Sequence, residues 1–185
     1  MEKLPTTPSQ TIGPFFAYSL TAEQYGYNFN SIANDKLISE EAKGERICIT
    51  GSVFDGAGNI IHDAMIELIQ EISDVPIPEP KILFGRLGTG TANNHSFNFY
   101  TIKPVATNGQ APHINVILFM RGSLHRLTTR LYFNDEKNDA DPLLSAIEPA
   151  RRKTLIANKI ISNEKTVYQF NIYMQGENET VFFQL

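Results

Sequence analysis

From Glu45 onward, short apolar runs alternate with polar positions at a period of two and are punctuated by single glycines and prolines. Ile47, Ile49 and Val53 follow that period, and Phe54-Asp55-Gly56-Ala57-Gly58-Asn59 is a turn rich in residues that tolerate positive φ, after which Ile60 and Ile61 restart a strand. Residues 64–72 also fit a helical stripe. Their strict alternation at Ile66, Glu67 and Leu68, between hairpin signals, makes them a strand. Further strands are expected at residues 97–103, 114–120, 128–133, 167–174 and 180–185, with a proline-rich loop at 73–80. That number of short strands, with no internal repeat, predicts an all-β, antiparallel β-sandwich.

Two regions break the alternation. Asp141-Pro142 reads as an N-cap followed by proline at the first helical position, with Leu143, Leu144 and Ile147 behind it, and a second helical segment is expected at 151–157 after Pro149. This is one short helical insertion. Residues 1–44 are rich in Pro, Thr and Tyr and then polar, which predicts an extended N-terminal arm with at most one helical turn near 21–24 and the sandwich body at 45–185. An arm carrying Phe15, Phe16, Tyr18, Tyr25 and Tyr27 is expected to pack on a partner subunit.

Composition narrows the function classes. The 185 residues carry 16 Lys and Arg against 20 Asp and Glu, a net charge of −4, so nucleic acid is a poor fit as the main partner. The single cysteine, Cys48, allows no intrachain disulfide or Cys-rich zinc site and points to a reducing, cytoplasmic setting. The start, Met-Glu-Lys-Leu-Pro, has no apolar h-region, and the run from Val116 to Met120 is far short of a membrane span, so neither signal peptide nor membrane partner is expected.

The residues offer little local chemistry. Histidines 62, 95, 113 and 125 include no pair at strand or helix ligand spacing. His113 comes nearest, in Pro112-His113-Ile114-Asn115, but position 115 is an amide, and a hydrogen-bonded histidine at a strand start is the plainer reading. No G-x-S-x-G elbow occurs, Cys48 lies in an apolar strand where a thiol is inert, and Gly85-Arg86-Leu87-Gly88-Thr89-Gly90 lacks the Lys-Ser/Thr of a phosphate cradle and reads as a loop. Two features stay open. Thr11-Ile12-Gly13-Pro14 suits backbone lying flat against a ligand or forms an ordinary turn, and Arg121, before Gly122, puts a guanidinium at the sandwich lip for a carboxylate ligand or a surface ion pair.

Several phrases, taken in order, carry a resemblance: Thr7-Pro8-Ser9-Gln10-Thr11-Ile12-Gly13-Pro14, Gly51-Ser52-Val53-Phe54-Asp55-Gly56, Thr101-Ile102-Lys103-Pro104, Ala111-Pro112-His113-Ile114-Asn115, Phe119-Met120-Arg121-Gly122, Thr129-Arg130-Leu131-Tyr132-Phe133 and Gln175-Gly176-Glu177-Asn178-Glu179-Thr180-Val181-Phe182-Phe183. Over nearly the whole chain the sequence resembles the alpha chains of the intradiol ring-cleavage dioxygenases that open protocatechuate. The resemblance implies a homologous beta chain that holds non-haem iron(III) through two tyrosines and two histidines, no iron on this chain, and a higher-order alpha–beta hetero-oligomer. The implied reaction is O2-dependent cleavage of protocatechuate to 3-carboxy-cis,cis-muconate in the beta-ketoadipate pathway of aromatic catabolism. The pattern R-x-x-H-x-H meets Gln110-Ala111-Pro112-His113-Ile114-Asn115, so the arginine and one ligand are missing, and no tyrosine stands at either tyrosinate position.

The resemblance further implies that Thr11, Gly13, Pro14 and Arg121 line the pocket facing the substrate's carboxylate, with no catalytic residue on this chain. The stretch 71–85 is short and proline-rich against the family pattern, and 124–127 differs as well. The other class of function open to the chain is a β-sandwich binding module that kept the fold without an iron-bearing partner.

Overall fold

The computed structural model describes residues 11–13, 15–72, 82–162 and 165–184. Ten strands form: β1 (Arg46–Gly51), β2 (Val53–Phe54), β3 (Met65–Glu71), β4 (Ile82–Gly88), β5 (Phe97–Ile102), β6 (His113–Phe119), β7 (Leu127–Phe133), β8 (Ile156–Ser162), β9 (Lys165–Gln169) and β10 (Ile172–Tyr173). Eight of them make one sheet in the order β4-β3-β6-β7-β8-β9-β1-β5, and β10 pairs with β2. β7 and β8 meet only at Tyr132↔Ile156 and Phe133↔Ala157, and here the sheet divides into two halves that share one core. Alternation decides what enters it: Ile114, Val116 and Leu118 of β6 point inward and are buried, while His113, Asn115 and Ile117 between them are half-buried on the outer face. Gln70 of β3 crosses the core, donating to the Ile102 carbonyl at 2.8 Å and accepting from Thr101 Oγ1 at 2.8 Å, so the polar group buried between the halves is satisfied at both ends.

The sandwich stands, but its sheet is mixed rather than antiparallel, because β1 pairs β9 and β7 pairs β8 in parallel. Two strands escaped the sequence pattern. Residues 85–88, expected as loop, lie in β4, where Gly85 faces the core and a Cβ would stand 2.4 Å from Leu37 Cδ1 and 3.0 Å from Phe99 Cδ1. The glycine there makes room for a neighbour rather than for a turn. β8 begins inside the segment expected as helix at 151–157; the helical run is α3 (Pro149–Arg152) and a 3-10 turn (Lys153–Leu155). The expected strand at 180–185 is reduced to a bridge between Phe183 and Thr128, that at 60–61 to a bridge between Ile60 and Phe54, and 167–174 is split between β9 and β10.

The insertion before α3 follows the reading: Asp141 caps α2 (Pro142–Ser145), accepting from the Leu144 amide, with Pro142 at the first position. With Tyr132 and Leu155 it builds a second, smaller core on the outer face of β7. The arm holds more helix than one turn, since α1 (Phe15–Leu20) precedes a 3-10 turn (Glu23–Tyr25). Its described part is tied to its own body: Leu37 enters the core, its amide donates to the Tyr100 carbonyl at 2.9 Å, the Arg86 amide donates to the Asn34 carbonyl at 3.0 Å, and Gln24 brackets Gly88 through both its amide atoms. The loop expected at 73–80 lies outside the described residues. Among those described, no helix is long and apolar enough to cross a membrane.

At the far end of the core, Asp135 collects Lys159 at 2.9 Å, Lys103 at 3.1 Å and the Tyr168 hydroxyl at 2.9 Å. Burial alone would raise its carboxyl, but the hydrogen bonds from Lys159, Lys103 and Tyr168 outweigh it and bring the pKa down to about 2. A carboxyl lowered in the folded state adds stability above its unfolded value near pH 4, and that stability is lost as the pH falls through about 2. Asp135→Asn is therefore expected to lose about 1 kcal/mol at neutral pH, discounted for partial exposure, and to flatten the acid limb of stability. Denaturant unfolding between pH 7 and 2 checks this; an acid limb as steep in the variant as in the wild type would contradict it.

Candidate functional site

Arg121 stands one residue beyond the end of β6, in a turn from Met120 to Ser123 in which Gly122 has φ +91. The turn closes with the Ser123 amide donating to the Met120 carbonyl at 3.2 Å. This left-handed position favours glycine, and it turns the Gly122 amide toward the arm. There the amide donates to Thr11 Oγ1 at 3.0 Å, while the Ile12 amide donates to the Ser123 carbonyl at 2.9 Å. Segments about 110 positions apart are thus stitched side by side. Gly13 comes next, with no heavy atom of the described residues within 4 Å of where a Cβ would stand, so among them it offers bare backbone beside the stitch. Of the four residues expected to line a pocket, Thr11, Gly13 and Arg121 come together at one lip; Pro14 lies outside the described residues.

The lip contains an acid that the sequence reading did not single out. Asp63 Oδ2 faces Arg121 Nη2 at 2.6 Å, with the Asp63 side chain 12% exposed and that of Arg121 59%. Asp63 sits in the connection before β3, which Thr89 pins down: its hydroxyl accepts from the Ala64 amide at 3.2 Å and donates to the Ile61 carbonyl at 3.0 Å, and its amide donates to the Ala64 carbonyl at 2.9 Å. Sequence carried only an acidic residue between two strand signals, with nothing to pair it with position 121. Nearby, the Tyr25 hydroxyl accepts from the Gly90 amide at 3.3 Å; burial pushes this phenol up, the Gly90 amide opposes, and Tyr18 and Asp63 add to the rise.

The positions that would bear metal ligands are built differently. His113 turns Nδ1 to the Ala111 carbonyl at 2.8 Å, the plain hydrogen-bonded histidine, and burial lowers its pKa while the Ala111 contact opposes and Arg130 assists. Across the sheet, Arg130 donates from Nε to Asn115 Oδ1 at 3.0 Å and from Nη1 to Gln110 Oε1 at 3.1 Å. A guanidinium is thus bonded to both residues that stand where the R-x-x-H-x-H pattern requires arginine and histidine. A metal ion there would have to share the space with a fixed positive charge, so the residues present do not fit an iron site. Among the described residues, no group of three His, Cys, Asp or Glu side chains could hold a metal.

Cys48 is half-buried on the outer face of β1, in a cleft of about 430 Å³ lined also by Lys36, Arg46, Tyr100 and Lys165. Burial pushes the thiol up, Lys165 lowers it and Asp35 raises it, leaving a poor nucleophile. A larger cleft of about 500 Å³ lies between residues 21–35 and strands β4 and β5, away from Arg121.

No family model matches the chain. Individual relatives do. The chain is 42% identical over 198 aligned positions to a protocatechuate 3,4-dioxygenase alpha chain of Burkholderia cepacia, covering all of both chains, and 40% identical to that of Pseudomonas putida, covering 99% and 98%. It is also 27% identical to a Burkholderia cepacia beta chain of the same enzyme, over 86% of this chain and 77% of that one. In fold it is similar to an intradiol ring-cleavage dioxygenase of Tetranychus urticae, with a TM-score of 0.62 at 16% identity over 80% of this chain and 88% of that chain. Full-length identity at this level places the chain in the family of protocatechuate 3,4-dioxygenase alpha chains.

Proposed function

We propose that the chain is the subunit without iron of an alpha–beta intradiol dioxygenase, in which it closes the pocket for protocatechuate, O2-dependent cleavage giving 3-carboxy-cis,cis-muconate in the beta-ketoadipate pathway. The observation that carries this reading is the stitch of Thr11 and Ile12 to the turn of Arg121, which sets a guanidinium and open backbone at one lip. A guanidinium is a planar fork that matches a carboxylate with two parallel hydrogen bonds, and the substrate's ring carboxylate is the group it would meet. Thr11, Gly13, Pro14 and Arg121 form that side of the pocket. None of them does chemistry, since ring opening belongs to iron(III) held by the homologous beta chain. The Arg130 guanidinium at the equivalent positions here supports that division.

The arm, residues 1–44, packs on the beta chain. Support comes from Tyr27 and Phe29, a tilted ring pair with centroids 5.9 Å apart and more than half exposed, and from Ile32, 92% exposed. The enzyme works in the cytoplasm, in keeping with one unpaired cysteine.

The test is co-expression with a beta chain carrying both tyrosines and the intact R-x-x-H-x-H pattern. The complex is expected to hold iron, show the visible tyrosinate-to-iron band and cleave protocatechuate. The lone chain, desalted after exposure to ferric or ferrous iron, is expected to retain far less than one iron per chain and to show no band. Stoichiometric iron with a tyrosinate band in the lone chain would overturn the division of labour. A chain that stays apart from every such beta chain on gel filtration would overturn the subunit reading.

A further inference from the structure

The Arg121 side chain is long and mostly exposed, and left alone it would sample many rotamers; an exposed arginine makes a selective carboxylate receptor only if something fixes its fork. We propose that Asp63 is that fixing group, a positioning residue that holds the Arg121 guanidinium by one amino end and sets this chain's preference for substrates bearing a ring carboxylate. The inference rests on the reading of Arg121 given above.

Three observations carry it. First, Asp63 Oδ2 is sealed from solvent and meets no donor in hydrogen-bonding geometry among the described residues, while Arg121 Nη2 stands 2.6 Å away as an ion pair, so the guanidinium is the cation that answers its charge. Second, the acid cannot follow a wandering partner. Residues on both sides of it, Ile61 and Ala64, are bonded to Thr89, which like Ala64 is fully buried. Third, the contact is made at Nη2, which leaves Nη1 and Nε free of Asp63. A second carboxylate can approach that edge while the first holds the other end. Asp63 touches no reacting atom; it acts through Arg121.

The test uses the assembled alpha–beta enzyme. Asp63→Asn keeps size and removes the charge, and it is expected to raise KM for protocatechuate about 3- to 10-fold with kcat within about 2-fold, while KM for catechol, which has no carboxylate, stays unchanged. In an Arg121→Ala background the same substitution should add nothing to KM. Asp63→Glu, with the charge kept but displaced by a methylene, should raise the protocatechuate KM less than Asn does. It decides by the same criterion if the Asn variant does not assemble on gel filtration.

An unchanged or lowered protocatechuate KM in Asp63→Asn overturns the proposal, the lowered value meaning that Asp63 competes with substrate for the guanidinium. Equal increases for both substrates overturn it as well, because a merely structural role would give that. The underlying reading fails separately: Arg121→Ala affecting both substrates alike retires the carboxylate role of Arg121, whereas a selective Arg121→Ala with a silent Asp63→Asn retires Asp63 alone.

Discussion

Arg121→Ala in the assembled enzyme is expected to weaken protocatechuate binding by about 1.5 to 3 kcal/mol, the worth of a charge-assisted hydrogen bond, which is about 10- to 150-fold in affinity. Catechol should lose much less. Truncating this side chain also strips Asp63 of its cation, and a carboxylate 12% exposed then stands unpaired. That cost falls on folding and not on either substrate, so a lowered melting temperature accompanies the selective loss without explaining it. Arg121→Lys separates the two effects. An ammonium can still answer Asp63, so stability returns, but it has no planar fork to hold Asp63 and a substrate carboxylate together, and affinity recovers only in part. If Arg121 merely braced the lip against the beta chain, the alanine variant would shed beta chain on gel filtration and lose activity on both substrates alike. KM for the two substrates, measured beside the assembly state, decides between these results.

How much of this was legible in the sequence follows from where the energy is local. β5, β6 and β7 declared themselves because one face of each is the more deeply buried, and a buried face imposes the period of two; β3, buried on both faces from Met65 to Leu68, showed through the polar Glu67 set between Ile66 and Leu68, and α2 declared itself because Asp141-Pro142 carries its own cap. β4 stayed hidden because its glycines answer to distant side chains. Gly85 yields space to Leu37 and Gly88 to Tyr25, and neither neighbour is near in sequence. β8 stayed hidden because Asn158 and Lys159 interrupt its apolar pattern behind a helical start, and its pairing depends on β7 and β9.

The same division runs through the site. Thr11, Gly13 and Arg121 were individually ambiguous, and the resemblance joined them before the hydrogen bonds between residues 11–12 and 122–123 did. Asp63 and Thr89 carried no sequence signal, because their roles exist only once the connection before β3 lies beside the end of β6. The filling of the ligand positions by Arg130 was half legible: the missing histidine could be read, but the cation bonded to its replacement lies across a strand pair.

The largest loss of stability is expected at Asp141, where one carboxylate joins three parts of the small outer core. Oδ2 accepts from the Ala111 amide at 2.9 Å, and Oδ1 accepts from the Leu144 amide at 2.9 Å and from the Tyr132 hydroxyl at 3.0 Å, all in a setting where Asp141 is 1% exposed. Asp141→Ala removes a helix cap and leaves two further buried donors without acceptors, for a cost of about 3 to 5 kcal/mol. Asp141→Asn should cost roughly half as much. Its carbonyl oxygen can still serve Leu144 and Tyr132, but its amide nitrogen would meet the Ala111 N–H donor to donor. Tyr132→Phe removes only the third bond and should cost about 1 to 2 kcal/mol, and its phenol, pushed up to about 12 chiefly by burial, keeps its proton to donate at any pH where the enzyme works. Thermal unfolding of the assembled enzyme checks the ranking. At this chain length the alanine variant should melt about 10 °C lower, with Asn and Phe in between. Because Ala111 leads into β6, and Arg121 stands in the turn beyond the other end of that strand, loosening this anchor is expected to act on the proposed pocket only through folding. KM for protocatechuate in the Asp141 variants, measured well below their melting temperatures, should therefore match the wild type. A selective rise in KM, or an alanine variant that melts with the wild type, would show that the outer core does not bear this load.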